Sequence, residues 1–230
     1  MIVKIGEPLE LAEEDQFTIF VGRTPYRIMC TPQNLQELTV GFLISEGIAK
    51  SVDDIEFHEA PCLQNAVFVN INGNPGESTI RSSGCIGIYR EDEVIGKVDA
   101  KEKFSVAEAK KALDYLNIRE YERTHGYHVA AIVGKKGLLV RRYDVGRHNA
   151  VDKAIGAALM KGIDLSRTFL LLSGRISRGI AMKCVRSGVP LVVSKAAILD
   201  SAIKVCEKSG LAAISFATNI VVRGEAVDLS

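Results

Sequence analysis

The sequence predicts a mixed α/β (α+β) protein of two domains, the second of which is a layered α/β structure. After about residue 104, helical patterns and short apolar runs follow the order α-β-β-α-β-α-β-α-β, which favours parallel pairing of the later strands. The chain has 230 residues, of which 47% are hydrophobic, enough for two small cores. We therefore expect an N-terminal α+β domain over residues 1–104 and an α/β domain over residues 105–230.

Composition restricts the classes of function and the location. Lys and Arg number 29 and Asp and Glu 28, so the net charge of +1 lacks the basic excess typical of nucleic-acid binders. No apolar run reaches the roughly 18 residues that a membrane span requires. The N-terminal segment turns acidic where a signal peptide would continue as an apolar core. We expect a cytoplasmic protein that binds neither nucleic acid nor membrane.

The first domain is predicted to begin with two strands and a helix. Residues 16–30 have the pattern of strand, turn and strand. Thr31 and Pro32 then resemble an N-cap and a first helical residue, and Gly47 is the expected stop. Apolar side chains recur at helical spacing between them, at Leu35, Leu38, Phe42 and Leu43. Three later stretches are expected to be extended or to lead into a loop: 55–58, 66–72 and 78–88.

The second domain is predicted to open with a capped helix. Ser105 and Glu108 have the spacing of a capping box, ahead of a helix that ends near Leu116. The elements expected after it are strands 128–134 and 138–143, helix 148–161, strand 168–172, helix 177–187, strand 189–194, helix 199–208 and strand 211–217.

Five cysteines are widely spaced and form no C-x-x-C pair, which is typical of reduced thiols. Cys85 lies within Ser82-Ser83-Gly84-Cys85-Ile86-Gly87, where small neighbours leave a thiol accessible, so it is the candidate reactive cysteine. Three others occur in apolar patterns and are expected in the core, namely Cys30, Cys184 and Cys206. The sequence around Cys62 leaves its role open.

Residues 144–153 concentrate polar side chains between a strand and a helix. The helix start offers free backbone N–H groups to an anion, and Arg147 and His148, followed by Asn149, add donors beside it. The alternative is a polar connector in which Asp144 pairs with an arginine and Asn149 caps the helix.

A second loop follows the next strand and contains Ser173, Gly174 and Arg175. Gly174 would let the backbone approach a ligand, and ligands of open α/β sheets gather beyond the carboxyl ends of the strands. The alternative is an ordinary capped turn. Taken together, the two loops predict a pocket for a phosphate-bearing ligand.

The order of helices also suggests cytidine deaminases, whose zinc site requires H-x-E at one helix start and P-C-x-x-C at the next. The corresponding positions here carry Arg147-His148-Asn149 and Ser173-Gly174-Arg175-Ile176-Ser177. Pro61-Cys62 is not followed by a second cysteine at position 65. We therefore expect no bound metal, and we interpret His125 and His128 as packed or hydrogen-bonded groups.

At these residues the chain resembles the formate dehydrogenase accessory sulfurtransferases, the FdhD family of sulfur carrier proteins. The similarity extends over nearly the whole length, and its longest unusual string is Asp144-Val145-Gly146-Arg147-His148-Asn149-Ala150-Val151-Asp152-Lys153. The other matching strings are Thr31-Pro32 through Glu37-Leu38, Gly41-Phe42-Leu43-Ile44-Ser45-Glu46-Gly47-Ile48, Arg81-Ser82-Ser83 with the Cys85 loop, residues 124–128, Ser173-Gly174-Arg175-Ile176-Ser177 and Gly188-Val189-Pro190.

The resemblance implies a homodimer whose second domain is a cytidine-deaminase-like three-layer α/β/α sandwich without the zinc site. It implies that Cys85 accepts persulfide sulfur from a cysteine desulfurase. The sulfur would pass to the molybdenum or tungsten bis(molybdopterin guanine dinucleotide) cofactor, which formate dehydrogenase requires. The resemblance also assigns cofactor binding to a segment after the last strand, consisting of Phe216, Ala217, Thr218, Asn219, Ile220 and Val221.

The sequence departs from the family pattern in three places. Many members have a C-x-x-C pair in the reactive loop, whereas Ser82 and Ile88 stand at the corresponding spacings here. The family usually has Gly-Gly shortly before a histidine, whereas this chain has His125-Gly126 before His128. The segment after the last strand normally carries arginines, whereas only Arg223 occurs near it here. Two alternatives to the sulfur carrier are a non-catalytic chaperone that binds the cofactor and a deaminase-like hydrolase.

Overall fold

The structure, a computed structural model, describes residue 6 and residues 9–58, 65–71 and 94–229. It shows the mixed α/β protein that the sequence predicts, built on one four-stranded and one six-stranded sheet. The Cys85 loop and Cys62 lie outside the described residues. Within the part of the chain that is described, no helix combines the length and apolarity that a membrane span needs. The boundary near residue 104 stays a prediction.

The four-stranded sheet belongs to the N-terminal part of the chain. Its strands are β1 (Asp15–Val21), β2 (Thr24–Cys30), β3 (Ile55–His58) and β4 (Ala66–Ile71). They lie in the order β2-β1-β4-β3, and the β1–β2 hairpin confirms the predicted pair of strands. Helix α1 (Leu35–Ser45) buries Leu38 and Leu43 against Phe17 and Ile19 of β1.

The predicted start of α1 at Thr31 is wrong. The helix begins at Leu35, and the preceding Asn34 is left-handed and makes no side-chain cap. Thr31 instead bonds to residues more than 100 positions away. Its N–H donates to Asp144 over 3.1 Å, its hydroxyl accepts from the Val145 N–H over 3.2 Å, and its carbonyl accepts from Lys153 over 2.8 Å.

The six-stranded sheet forms the centre of the C-terminal part. Its strands are β6 (His128–Gly134), β7 (Gly137–Asp144), β8 (Phe169–Leu172), β9 (Leu191–Ser194), β10 (Ala212–Ser215) and β11 (Ile220–Val222), in the order β11-β10-β9-β8-β6-β7. Strands β8, β9 and β10 are parallel, as predicted, while β6 pairs antiparallel with both β7 and β8. A two-stranded parallel pair, β5 (Phe104–Ser105) with β12 (Val227–Asp228), was not predicted.

Helices cover both faces of the six-stranded sheet. Helix α2 (Val106–Ala112) packs on one face, and α4 (Arg147–Met160), α5 (Arg178–Ser187) and α6 (Asp200–Ser209) pack on the other. Helix α3 (Arg119–Thr124) buries none of its residues. Alternate strand residues point to opposite cores, so Ile132 packs with α4, α5 and α6, whereas Val133 packs with α2. The capping box of Ser105 and Glu108 at the start of α2 is confirmed.

The two parts of the chain meet where α1 crosses α4, with their backbones in contact. A Cβ atom built on Gly41 would lie 1.8 Å from the carbonyl oxygen of Asp152. A Cβ atom built on Gly156 would lie 1.9 Å from the carbonyl oxygen of Glu37. Both distances are far below van der Waals contact, so only glycine at these two positions permits this approach.

A buried ion cluster lies beside this crossing and joins α1, α4 and α5. The ammonium of Lys183 is 2.5 Å from Glu46 and 2.8 Å from Asp152, and it donates to the Ser45 hydroxyl over 2.9 Å. Burial raises the pKa of Asp152 to about 6, although Lys183 opposes the shift. Burial alone would lower the pKa of Lys183, but the two carboxylates raise it above its ordinary value. One ammonium shared by two carboxylates therefore stays charged.

We predict that Lys183→Met lowers the free energy of unfolding by about 3–5 kcal/mol, measured by urea denaturation at pH 7. The substitution keeps most of the side-chain volume but leaves the carboxylates of Glu46 and Asp152 buried without their ammonium. Because the pKa of Lys183 is raised on folding, its contribution is complete below the unfolded-state pKa of about 10.4. The contribution is lost as the pH rises through the higher folded-state value.

Lys101→Met is the matched control, because Lys101 pairs with Asp164 while its side chain is 54% exposed. An exposed pair contributes about 0–1 kcal/mol, so this variant should remain close to the wild type. Equal losses in the two variants would contradict the role assigned to the buried cluster.

Candidate functional site

The carboxyl ends of the three parallel strands lie along one edge of the six-stranded sheet, and a serine stands at each end. Ser173 follows β8, Ser194 is the last residue of β9, and Ser215 is the last residue of β10. In open α/β sheets this edge is where ligands bind. We refer to it as the strand-end edge.

Serine and threonine hydroxyls connect the three loops of the strand-end edge. Ser194 donates to the carbonyl of Gly174 over 2.7 Å and accepts from the N–H of Ala196 over 2.9 Å. Ser215 donates to the carbonyl of Ala196 over 2.8 Å, and Thr218 donates to the Ser215 hydroxyl over 2.7 Å. The chain of bonds therefore links two predicted site segments, 173–175 and 216–221.

The loop before α4 meets the loop after β8. A Cβ atom built on Gly174 would lie 3.1 Å from both Cβ and Cδ of Arg147 and 3.4 Å from Nδ1 of His128. Gly174 thus allows the Arg147 side chain to lie directly against the turn. The structure brings together the two loops that the sequence analysis grouped as one pocket.

The segment 144–153 is mostly engaged in internal bonds. The buried carboxylate of Asp144 accepts from the N–H of Gly146 over 2.8 Å and from the Asn149 amide over 3.0 Å, and it is 2.6 Å from the ammonium of Lys153. Among the described residues the cation paired with Asp144 is Lys153, and not an arginine as the alternative assumed.

The suggested N-cap role of Asn149 is also wrong, since Gly146 is the N-cap of α4. The amide of Asn149 donates to the carbonyl of Met29 over 2.8 Å as well as to Asp144. His148 and Asn149 are 5% and 4% exposed, whereas Arg175 is exposed and Arg147 half-buried. The contribution of these four side chains to ligand binding stays a prediction.

His128 begins β6 and lies between the basic side chains of the strand-end edge. Its Nδ1 is 3.4 Å from the hydroxyl of Ser173, which also accepts from the N–H of Val129 over 2.9 Å. Burial lowers the pKa of His128, and the positive charge of Arg147 lowers it further; Asp144 opposes this shift, while Arg175 and Lys195 add to it. His128 is therefore neutral at pH 7 and surrounded by cations.

A cavity of about 220 Å³ opens beside His128, and the core residues Leu116 and Val129 form its apolar lining. Its polar and aromatic lining consists of Tyr121, His125, Tyr127, His128, Ser173 and Lys195. The Lys195 ammonium lies 5.8 Å from the centre of the Tyr121 ring. Sequence analysis missed Lys195, although its position directly after the buried strand β9 could have identified it.

This arrangement can bind an anion that carries a ring. Cationic side chains lie at the start of α4 and after β8 and β9, and aromatic side chains line the adjoining cavity. Among the described residues, no group of three or more His, Cys, Asp or Glu side chains is placed to hold a metal ion. The expectation of a metal-free site stays a prediction.

Three cysteines lie in the core, as predicted. Cys30, Cys184 and Cys206 are free thiols that are 0–1% exposed. Burial raises the pKa of Cys30 and of Cys206 to about 12 and raises that of Cys184 further. A thiol attacks only as its thiolate, so these three are unreactive at neutral pH.

The fold is mixed α/β, cationic side chains lie along its strand-end edge, and the thiols of the described residues are all buried. The family model described as the FdhD/NarQ family matches residues 12–223. The chain belongs to this family, and the resemblance noted in the sequence is confirmed.

Proteins called sulfur carrier protein FdhD are similar over most of the chain. The Shouchella clausii protein is 31% identical over 234 residues, which cover 94% of this chain and 87% of the relative. The Methanothermobacter thermautotrophicus protein is 33% identical over 203 residues, covering 85% and 80%. A crystal structure from Desulfotalea psychrophila, described as a formate dehydrogenase accessory protein, has a TM-score of 0.78 at 23% identity and covers 95% of this chain and 90% of its own. This last likeness supports the fold.

We predict that iodoacetamide at pH 8 leaves Cys30, Cys184 and Cys206 unmodified in the native protein, as read by peptide mass mapping. With a pKa of about 12, roughly one thiol in 10⁴ is ionised at that pH, and burial excludes the reagent. Denaturation in guanidinium chloride before labelling provides the control, in which all five cysteines of the chain should react. Rapid native labelling of any of the three would contradict their assignment to the core.

Proposed function

We propose that this protein is a sulfur carrier of the sulfurtransferase type. It accepts persulfide sulfur from a cysteine desulfurase onto Cys85 and delivers it to the molybdenum or tungsten bis(molybdopterin guanine dinucleotide) cofactor of formate dehydrogenase. The observation that carries the proposal is membership of the FdhD/NarQ family over residues 12–223, with relatives called sulfur carrier proteins. The cofactor is the substrate of the transfer.

The thiol inventory supports Cys85 as the acceptor. A sulfur acceptor must reach its thiolate at neutral pH, and Cys30, Cys184 and Cys206 are buried with raised pKa values. The remaining candidates are Cys62 and Cys85, both outside the described residues. Of these two, Cys85 follows Gly84, lies two residues before Gly87, and matches the reactive loop of the family.

The strand-end edge supports recognition of the nucleotide portions of the cofactor. A guanine dinucleotide carries a pyrophosphate, which suits the exposed Arg175, the adjacent Arg147 and the backbone N–H groups at the start of α4. The segment 216–221 adjoins the same edge through the bond from Thr218 to Ser215. We extend the proposal to this segment and to His148 and Asn149, as the family resemblance implies.

The proposal includes the finer architecture that the resemblance implies. The six-stranded sheet with helices on both faces is compatible with a cytidine-deaminase-like second domain over residues 105–230. A homodimer is likewise part of the proposal.

One sequence feature favours a second function. The reactive loop has Ser82 and Ile88 where many relatives have the second cysteine of a C-x-x-C pair. A protein with one loop thiol could serve as a chaperone that binds the cofactor and presents it to formate dehydrogenase without carrying sulfur. The two functions differ in whether activation of the client needs Cys85.

We predict that incubation with a cysteine desulfurase and cysteine adds one sulfur atom to the wild-type protein and none to Cys85→Ala, as read by intact-mass spectrometry. The Cys85 thiolate attacks the outer sulfur of the desulfurase persulfide. This sulfur is transferred to Cys85, and the desulfurase cysteine is released as a thiolate. Formate dehydrogenase matured with Cys85→Ala should be inactive.

Cys62→Ala is the matched control, since Cys62 is the other candidate thiol, and this variant should still gain sulfur and activate the client. Full client activation by Cys85→Ala would replace the carrier with the chaperone.

We predict that Arg175→Ala weakens GDP binding by about 1.5–3 kcal/mol in titration calorimetry. The substitution removes a charge-assisted hydrogen bond donor from the turn against which Arg147 lies. Arg167→Ala is the control, because it removes the same charge from an exposed side chain that pairs with Glu102. An equal fall of GDP affinity in both variants would show a general charge effect and would contradict binding of GDP at Arg175.

A further inference from the structure

His125 has a backbone conformation that residues other than glycine rarely adopt. It ends α3 in the left-handed region, with φ 51° and ψ 14°, and its N–H donates to the Tyr121 carbonyl over 2.7 Å. Helices α5 and α6 end in the same conformation but with glycine, at Gly188 (φ 77°) and Gly210 (φ 81°). Glycine is the residue that this helix end favours, so the histidine side chain is retained at a conformational cost.

The ring of His125 is exposed, and it contributes nothing to the core. It stacks on the Tyr121 ring with centroids 5.3 Å apart and planes 25° apart, and it makes no hydrogen bond to the described part of the chain. Both rings line the 220 Å³ cavity, and the Lys195 ammonium lies 5.8 Å from the Tyr121 centroid. The two rings thus overlap face to face, and together with a cation they line the same space.

We propose that His125 is a specificity-determining residue, whose ring, backed by the stacked Tyr121 ring, is the surface on which the purine of the bound nucleotide stacks. Lys195 then faces the phosphates of that nucleotide. This inference rests on the proposed function, because it names how this chain holds one nucleotide portion of the cofactor.

The size of the cavity agrees with a single ring system. Its volume of about 220 Å³ is below the range of about 300–1,000 Å³ typical of pockets for whole drug-sized ligands. A purine presents a flat π-face to an aromatic side chain, and such stacking is favourable for any base. The remainder of the nucleotide would then extend past Lys195, in the cavity lining, towards the exposed Arg175.

The test compares GDP and pyrophosphate binding to the wild type, His125→Gly and His125→Phe by titration calorimetry, with pyrophosphate measured by displacement of GDP. His125→Gly should weaken GDP binding about tenfold, the factor expected for loss of part of a base–aromatic stack. His125→Phe keeps a planar ring and should restore GDP affinity to within about twofold of the wild type. Pyrophosphate has no ring and should bind all three proteins equally.

Thermal unfolding shows whether any change in binding comes from misfolding. Glycine relieves the left-handed backbone at residue 125, so the Tm of His125→Gly should not fall and should rise by up to about 4 °C.

Unchanged GDP affinity in His125→Gly, or an equal loss for GDP and pyrophosphate, would overturn the role of the ring. Failure of pyrophosphate to displace GDP would overturn the placement of the phosphates at Lys195. A wild type that binds neither ligand would reject both this inference and the nucleotide recognition in the proposed function, whereas transfer of sulfur to Cys85 is tested separately by mass.

Discussion

The carboxylate of Asp144 is the interaction on which the geometry of the site depends. It lies fully buried where β7 ends and accepts from four groups, two of which come from Thr31 and Lys153. The other two are the N–H of Gly146 and the amide of Asn149. Because an ionised carboxylate is costly to bury without partners, all four donors must be in place together. Their common position fixes the turn that begins α4, and with it the place of Arg147.

Asp144 also connects the two parts of the chain. Thr31 follows β2 of the four-stranded sheet, and its N–H, hydroxyl and carbonyl all bond to the loop before α4 or to α4 itself. The Lys183 cluster and the glycine contacts of α1 with α4 strengthen the same junction. Arg147 therefore contacts Gly174 from a helix, α4, that is fixed by its bonds to Thr31 and Lys183 and by its contact with α1. A site built on such rigid supports keeps its shape before a ligand arrives.

Local signals in the sequence predicted most elements, because apolar runs and capping residues act over a few positions. The parallel strands β8, β9 and β10 and the capped start of α2 are examples. The predicted helix start at Thr31 was wrong, because the threonine of this Thr-Pro pair forms hydrogen bonds with residues that are remote in the sequence. Helix α3 has six mostly polar residues and no apolar period, and the two-residue pairing of β5 with β12 depends on tertiary packing alone.

The candidate site was predictable to the extent that it follows the strand ends. That rule predicted that Arg147 and Gly174 lie close together, and the structure confirms it. The dense charge of residues 144–153 was harder to interpret, because a buried bonding network and a ligand site use the same residue types. Lys195 has no motif around it, and the signal for its place beside His128 is its position directly after the buried strand β9.

The inert thiols have a consequence for the fidelity of sulfur traffic. A persulfide can be attacked by any nearby thiolate. Attack on the outer sulfur would transfer it to another cysteine of the same protein, and attack on the inner sulfur would form a disulfide and release sulfide. Cys30, Cys184 and Cys206 cannot divert a cargo in this way, since each lies in the core and remains protonated. Among the described residues, therefore, no thiol of a carrier built on this fold would compete with an external acceptor for the sulfur. It could also wait between partners in mildly oxidising surroundings without cross-linking its own core.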